Sequence, residues 1–230
     1  MKKIAVFCAP GFEEIEALTV ADYLRRANLD VLIVSVPVDG CPKQDIIVEG
    51  AHKIKIVADI LLQDFIDQVE KEGLPDAIYL PGGSQGAKNL HDNQYIFQMI
   101  TKMDSAGKII ASICASPAVV LVPTGIISGR NWTCYPGMEK GIAEFCHSKK
   151  WSIEATENSH HIKDVPFVFD NNVLTGRGPG TTEQFAMKLV EILTDKKTAD
   201  GIGHAADAAQ IGLVYKFPEH DAECHAQHRT

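Results

Sequence analysis

The chain has 230 residues, 45% hydrophobic and 23% charged, which is enough apolar content for one sizeable core and too much for a disordered polymer. Its 22 basic and 30 acidic side chains leave a net charge of -8, which argues against nucleic acid and anionic membranes as general partners. No apolar run reaches the roughly 18 residues of a membrane-spanning helix.

The opening Met1-Lys-Lys reads as the approach to a first strand, not as a secretory leader, because Glu13, Glu14 and Glu16 follow too early. A cytoplasmic location is the expectation. Residues 3–8 are an apolar strand, Pro10-Gly11 a turn, and Glu13 to Ala27 a helix with apolar residues at helical spacing. Asp30 to Val36 is a strand buried on both faces. Residues 46–48 and 53–57 are short strands around Gly50, and 59–72 is a helix capped by Gly73. Asp76 to Leu80 is a buried strand that runs into Pro81-Gly82-Gly83. A helix spans Asp92 to Ala106 with Asp92 as N-cap, followed by a strand from Lys108 to Ile113 and a short helix from Ala115 to Leu121.

Downstream, Arg130 to Cys134 and Trp151 to Ile153 read as strands flanking a helix from Pro136 to Phe145. Residues 167–169 and 173–175 flank a turn, Thr181 to Leu193 is a periodic helix with Thr181 as its cap, and 198–210 is a final helix. Strand–helix alternation predicts one doubly wound α/β layer structure around a mostly parallel sheet. Residues 37–57 and 160–176 read as hairpin-like additions to it. The main domain is placed at residues 1–195, with a helix and a polar tail over 196–230.

Six cysteines, Cys8, Cys41, Cys114, Cys134, Cys146 and Cys224, are scattered without a Cys-x-x-Cys pair. In a chain of this size they read as reduced thiols and not as a disulfide framework. Cys114 stands out because it falls on a strand-to-helix turn above the carboxyl end of a sheet. Free N–H groups there stabilise a thiolate, which suits a nucleophile or a redox-sensitive thiol; a buried structural cysteine is the plain alternative. Gly82-Gly83 is either a flexible turn or the source of a backbone donor that, with the Ala115 N–H, forms an oxyanion hole. Three strand ends, at Ala9 to Gly11, Gly82-Gly83 and Cys114, converge where ligands of open sheets gather. Glu16 either complements the helix dipole or, sharing a face with Phe12, Ala17 and Val20, points inward to exchange a proton with sulfur. Cys8, at the end of the first strand, and Cys134, beside Tyr135, read as structural cysteines or as further pocket residues, and Tyr135 is a pocket candidate as well.

Four segments taken together carry a family resemblance: Ala5-Val-Phe-Cys-Ala-Pro-Gly-Phe-Glu-Glu-Ile-Glu16, Leu80-Pro-Gly-Gly83, Ala111-Ser-Ile-Cys-Ala-Ser-Pro117 and Thr175-Gly-Arg-Gly-Pro-Gly-Thr181. Over residues 1–195 the chain resembles the ThiJ/PfpI superfamily, in the branch of the human parkinsonism-associated deglycase. The resemblance implies a flavodoxin-like three-layer sandwich with a nucleophile-elbow cysteine, in a homodimer. It maps the reactive cysteine onto Cys114, its carboxyl partner onto Glu16, and the backbone donors onto Gly83 and Ala115. It implies glutathione-independent glyoxalase or deglycase chemistry on methylglyoxal or a related small aldehyde, with no cofactor, or a role as oxidative-stress sensor or chaperone.

Three departures bear on that chemistry. Tyr135 stands where the deglycase branch places a histidine, and tyrosine, with a reference pKa of about 10, is a poor base near pH 7. Ala115 stands where the protease-like branch has histidine, which removes the peptidase reading. No His-x-Glu pair follows Gly178-Pro-Gly180, which removes the glutamine amidotransferase reading; His160 and His161 lack the spacing. Outside the resemblance, Cys224 and His228 share a helical face at i,i+4 in a His-rich tail, a weak metal-site candidate against the reading of a frayed terminus.

Overall fold

The computed structural model describes residues 1–38, 45–141 and 158–206. Its centre is a seven-stranded sheet of order β10-β11-β7-β6-β1-β2-β5. These strands are β1 (Lys3–Cys8), β2 (Asp30–Ser35), β5 (Ile60–Leu61), β6 (Ala77–Leu80), β7 (Ile109–Ile113), β10 (Phe167–Asp170) and β11 (Val173–Gly176). All neighbours are parallel except β10 and β11. Counting only the five long parallel strands in chain order, the sequence across the sheet is 2-1-3-4-5, the flavodoxin-like arrangement. Strands β1, β6 and β11 are buried along almost their whole length, as parallel strands covered on both faces must be.

Right-handed crossovers then fix the layers. Helix α1 (Glu14–Arg26) lies on one face with α6 (Thr182–Leu193), and α7 (Lys196–Ala205) packs on α6. The other face carries α2 (Leu62–Glu72), α3 (Ser84–Asp92), α4 (Gln94–Ser105) and a π-helical turn, Pro117–Leu121, that runs into α5 (Val122–Thr124). Aromatic contacts pin both layers: Phe7 of β1 meets Phe65 of α2 edge-on at 5.5 Å, and Tyr79 of β6 meets Phe185 of α6 at 5.7 Å. A separate hairpin, β3 (Ile47–Glu49) with β4 (Lys55–Val57), closes over the β1–α1 turn through Gly11 N–H to Glu49 C=O at 2.8 Å and Ala51 N–H to Phe12 C=O at 2.8 Å.

The structure revises several boundaries. Residues 60–61 are not helical; they add to β2 as a short edge strand, so α2 begins at Leu62. Helix α3 occupies residues to which the sequence assigned no element. Its buried face is Gly86, Ala87, Asn89 and Leu90, too small and polar to announce a helical period. The cap of α4 is therefore Asn93, whose side chain accepts from the N–H groups of Tyr95 and Ile96, while Asp92 ends the preceding helix. Strand β11 is not an added hairpin arm; it pairs in parallel with β7 inside the main sheet. The strand expected at Arg130 to Cys134 shortens to β8 (Asn131–Trp132), paired with β9 (His160–His161). Only a 3-10 turn, Met138–Gly141, is described of the helix expected from Pro136; residues 142–157 and the Trp151 strand lie outside the described residues. Thr181 precedes α6 without a side-chain cap bond, and α7 is capped by Asp195, whose carboxylate accepts from Thr198 N–H at 2.8 Å. Among the described residues no helix is long and apolar enough to cross a membrane.

Replacing Asn93 with alanine leaves two orphan N–H groups on α4 and is expected to cost about 1 kcal/mol in urea unfolding. A larger loss, about 2 kcal/mol or more, is expected for Gly83→Ala. Gly83 has φ +87°, and an added Cβ would lie 2.3 Å from the Gly11 carbonyl oxygen.

Candidate active site

The strand order reverses between β1 and β6, and that switch point is where the carboxyl ends of the sheet open a crevice. Three turns meet there: the β1–α1 turn, the β6–α3 turn and the β7–π turn. Glu13 N–H donates to Gly82 C=O at 3.1 Å, and Gly86 N–H to Gly11 C=O at 3.1 Å, so the first two turns are bolted together by backbone. Gly86 permits this approach, since a Cβ there would sit 2.7 Å from Phe12 Cα and N.

Cys114 follows β7 with φ +64°, an uncommon conformation for a residue with a Cβ. Such strain costs about 1–3 kcal/mol and persists only where neighbours hold it. Here Cys114 N–H donates to Gly176 C=O at 2.9 Å, and its carbonyl accepts from Tyr135 N–H at 2.8 Å. Ser116 Oγ fixes the next turn by donating to Pro81 C=O at 2.6 Å. The π-helical turn that follows is the type of irregularity that accumulates at functional positions. The N–H groups of Gly83 and Ala115 both point at the sulfur and lower its pKa.

Glu16 is fully buried on the first turn of α1. Glu13 caps that helix, its carboxylate accepting from Glu16 N–H at 2.7 Å. The Glu16 carboxyl reaches the Cys114 thiol, and Oε2 accepts from Gly82 N–H at 2.7 Å. Oε1 is buried and has no hydrogen-bond partner. Burial pushes the Glu16 pKa up to about 8, against the lowering effect of the Gly82 N–H, so the carboxyl holds its proton at neutral pH. Burial also raises the thiol pKa, and an ionised Glu16 raises it further. A protonated Glu16 exerts no such repulsion and becomes a donor to sulfur. Proton occupancy of Glu16 therefore decides whether the carboxyl opposes the thiolate or stabilises it.

Gly82 is the spacer of this pair. A Cβ on it would fall 2.5 Å from Cys114 Cβ, 2.6 Å from Glu16 Oε2 and 3.1 Å from Cys114 Sγ. The structure thus brings Cys114, Glu16, Gly82, Gly83 and Ala115 into one cluster. Tyr135 is joined to it through backbone, with its ring beside Gly178 and half-exposed; among the described residues its hydroxyl makes no hydrogen bond. Cys8 is fully buried in β1; burial, with the Asp59 carboxylate as a smaller contribution, raises its thiol pKa. Cys224 and His228 lie outside the described residues.

A group the sequence did not announce flanks the cluster. Glu14 Oε1 accepts from His52 N–H at 2.6 Å and Oε2 meets the His52 ring at 2.8 Å, with Glu13 at 3.9 Å. Burial works against the Glu14 carboxylate, but these bonds outweigh it and lower its pKa, while the carboxylate raises that of His52. Gly50 was the available signal: any side chain there would overlap Glu14, with a Cβ 2.3 Å from Oε1.

Comparison with known proteins gives a consistent result. The sequence profile of the DJ-1/PfpI family matches residues 2–192. Protein DJ-1 homolog B of Arabidopsis thaliana is 34% identical over 198 residues, which are 86% of this chain and 40% of that protein, so the chain spans less than half the length of this relative. The glutathione-independent glyoxalase DJR-1.2 of Caenorhabditis elegans is 30% identical over 181 residues, 79% of this chain and 82% of that protein. A crystal structure of a mutant DJ-1 superfamily protein from Salmonella typhimurium superposes with a TM-score of 0.75 at 31% identity, covering 90% of this chain and 98% of its own. The profile match over most of the chain and relatives at 30% identity or more over most of its length agree: the chain belongs to the DJ-1/PfpI family.

Proposed function

We propose that the protein is a cysteine-dependent, glutathione-independent glyoxalase-like enzyme that acts on methylglyoxal or a related small reactive aldehyde. The carrying observation is the contact between the Cys114 thiol and a buried, proton-holding Glu16, with two backbone N–H groups aimed at the sulfur. The glyoxalase name of the nematode relative supports the same reading.

The chemistry follows from these groups. Cys114 sulfur adds to the aldehyde carbon C1, and its proton goes to the aldehyde oxygen, giving a hemithioacetal. While that oxygen carries negative charge, the N–H groups of Gly83 and Ala115 stabilise it. Glu16 in its ionised form removes the proton from C1 and returns one at C2, which converts the hemithioacetal to the thioester of lactate. Water hydrolyses the thioester and restores the thiol. Oxidation at C1 balances reduction at C2, so no external redox partner is needed.

One observation favours a second reading. Among the described residues the Tyr135 hydroxyl makes no hydrogen bond that would set it up as a second proton carrier, which suits a stress sensor that does not turn over substrate. There the Cys114 thiolate reacts with two molecules of peroxide to give a sulfinate and two of water, and protonated Glu16 donates to the sulfinate oxygen. In either reading a homodimer is expected. Ile15 and Leu18 of α1 and Ile47, Ile54 and Val57 of the adjoining hairpin are exposed apolar side chains on neighbouring elements, suited to a second copy of the chain.

Lactate formation from methylglyoxal, resolved into D and L forms, is expected from wild type and absent from Cys114→Ser. Absence from both, with selective peroxide oxidation of Cys114, would support sensing and reject turnover. The wild-type rate is expected to rise with pH and level off above about 8, as Glu16 ionises. Glu16→Gln should still form the Cys114 adduct, seen as a mass increase, yet release at least 100-fold less lactate.

Stability carries the same signature. Native Glu16 holds its proton up to about pH 8, whereas the unfolded side chain releases it near 4.5. Its contribution is full below pH 4.5 and is lost as pH rises through 8. Thermal melts should show wild type losing stability between pH 4.5 and about pH 8 relative to Glu16→Gln; parallel curves would contradict the raised pKa.

A further inference from the structure

We propose that Cys134, Glu139 and His161 form a binding site for a divalent cation of the zinc class, separate from the Cys114 pocket. One atom from each, a thiol sulfur, a carboxylate oxygen and an imidazole nitrogen, lies within 4.8 Å of the other two. The three residues come from separate segments, and each is held in place before any ion arrives.

Strand register places the histidine. His161 is paired with Trp132 across β8 and β9, and Ile162 N–H donates to Trp132 C=O at 2.8 Å. The two rings sit 4.9 Å apart, which fixes the imidazole plane. Cys134 lies two residues beyond β8 and is 2% exposed; the preceding Thr133 N–H is tied to Thr175 Oγ1 at 2.9 Å. Gly137, at φ +93°, turns the chain into the Met138–Gly141 3-10 turn and brings back Glu139. The Gly137 N–H donates to Glu139 Oε2 at 2.7 Å, an outer bond of the sort that orients ligating carboxylates.

The distances fit an ion. Cys134 Sγ and His161 Nε2 are 3.6 Å apart. Zinc bonds of about 2.3 Å to sulfur and about 2.0 Å to nitrogen, at a tetrahedral angle, require a separation of about 3.5 Å. Among the described residues Cys134 Sγ is the one hydrogen-bond partner of the His161 ring, and Nδ1 is buried without one. A cation on Nε2 would replace this weak sulfur contact with a coordinate bond. Thiolate, imidazole and carboxylate together match zinc better than magnesium or calcium, which take oxygen ligands. Three protein ligands leave the fourth position for water. Binding converts the Cys134 thiol to a thiolate and releases one proton per ion.

This site does not depend on the glyoxalase reading. It is linked to the Cys114 turn through Tyr135, whose N–H holds the Cys114 carbonyl.

The test uses the full chain, stripped with chelator and titrated with Co²⁺ as a spectroscopic probe and then with Zn²⁺. One equivalent of Co²⁺ is expected to give a thiolate-to-cobalt charge-transfer band and tetrahedral visible bands, displaced by Zn²⁺. Calorimetry in buffers of different ionisation enthalpy should show about one proton released per Zn²⁺. Cys134→Ser should abolish the charge-transfer band, and His161→Gln or Glu139→Gln should weaken Zn²⁺ binding by more than about 100-fold, the upper cost of losing an outer-shell partner. Circular dichroism of the metal-free variants controls for folding, and the two conservative glutamine variants keep the test open if the serine variant unfolds. Cys114→Ser and Cys224→Ser should retain the band. A band that survives Cys134→Ser, or that disappears with Cys114→Ser or Cys224→Ser, would overturn the assignment, as would the absence of any tetrahedral cobalt spectrum.

Discussion

The structure depends on one buried contact, that between the Glu16 carboxyl and the Cys114 sulfur. A carboxyl with no exposure is expensive to ionise, and among the described residues one backbone donor, Gly82 N–H, reaches it. The carboxyl therefore keeps a proton, and a proton on Glu16 makes the same side chain a donor to sulfur. Much of the surrounding architecture serves to hold this pair at contact. The Glu13 cap sets the first turn of α1, the π-helical turn follows the strained cysteine, and Gly82 keeps the space between the two side chains clear.

That contact is reached by three chain segments far apart in sequence, and the parallel sheet brings them together. Strand β1 delivers Glu16 through the turn at its carboxyl end, β6 delivers the Gly82-Gly83 backbone, and β7 delivers Cys114. Because β6 and β2 lie on opposite sides of β1, the helices after β1 and β6 leave on opposite faces, and the crevice opens between them. Backbone bonds between the turns, from Glu13 to Gly82 and from Gly86 to Gly11, remove the freedom that such a crevice would otherwise have.

Strong periodicity made most of this legible in sequence. The buried strands, α1 and the cysteine turn could be read from apolar runs and from their punctuation by proline and glycine. What escaped was hidden for physical reasons. Helix α3 buries glycine, alanine and asparagine against a neighbouring backbone, so close approach, not hydrophobic area, is what stabilises it. Strand β5 is two residues long and gains its identity only by pairing with β2. The inward direction of Glu16 was open because a first-turn carboxylate serves the helix dipole equally well; only the position of Gly82 across the crevice decides it. The Cys134, Glu139 and His161 cluster was invisible because strand pairing between β8 and β9 sets it, not local spacing.

The bond from Tyr135 N–H to the Cys114 carbonyl has one further consequence. It is made by backbone, so every residue except proline supplies it equally, whatever side chain it carries. Position 135 can therefore exchange its side chain while the cysteine turn keeps its shape. Evolution within such a scaffold is free to change the proton chemistry beside the thiol without first relearning how to hold the thiol in place.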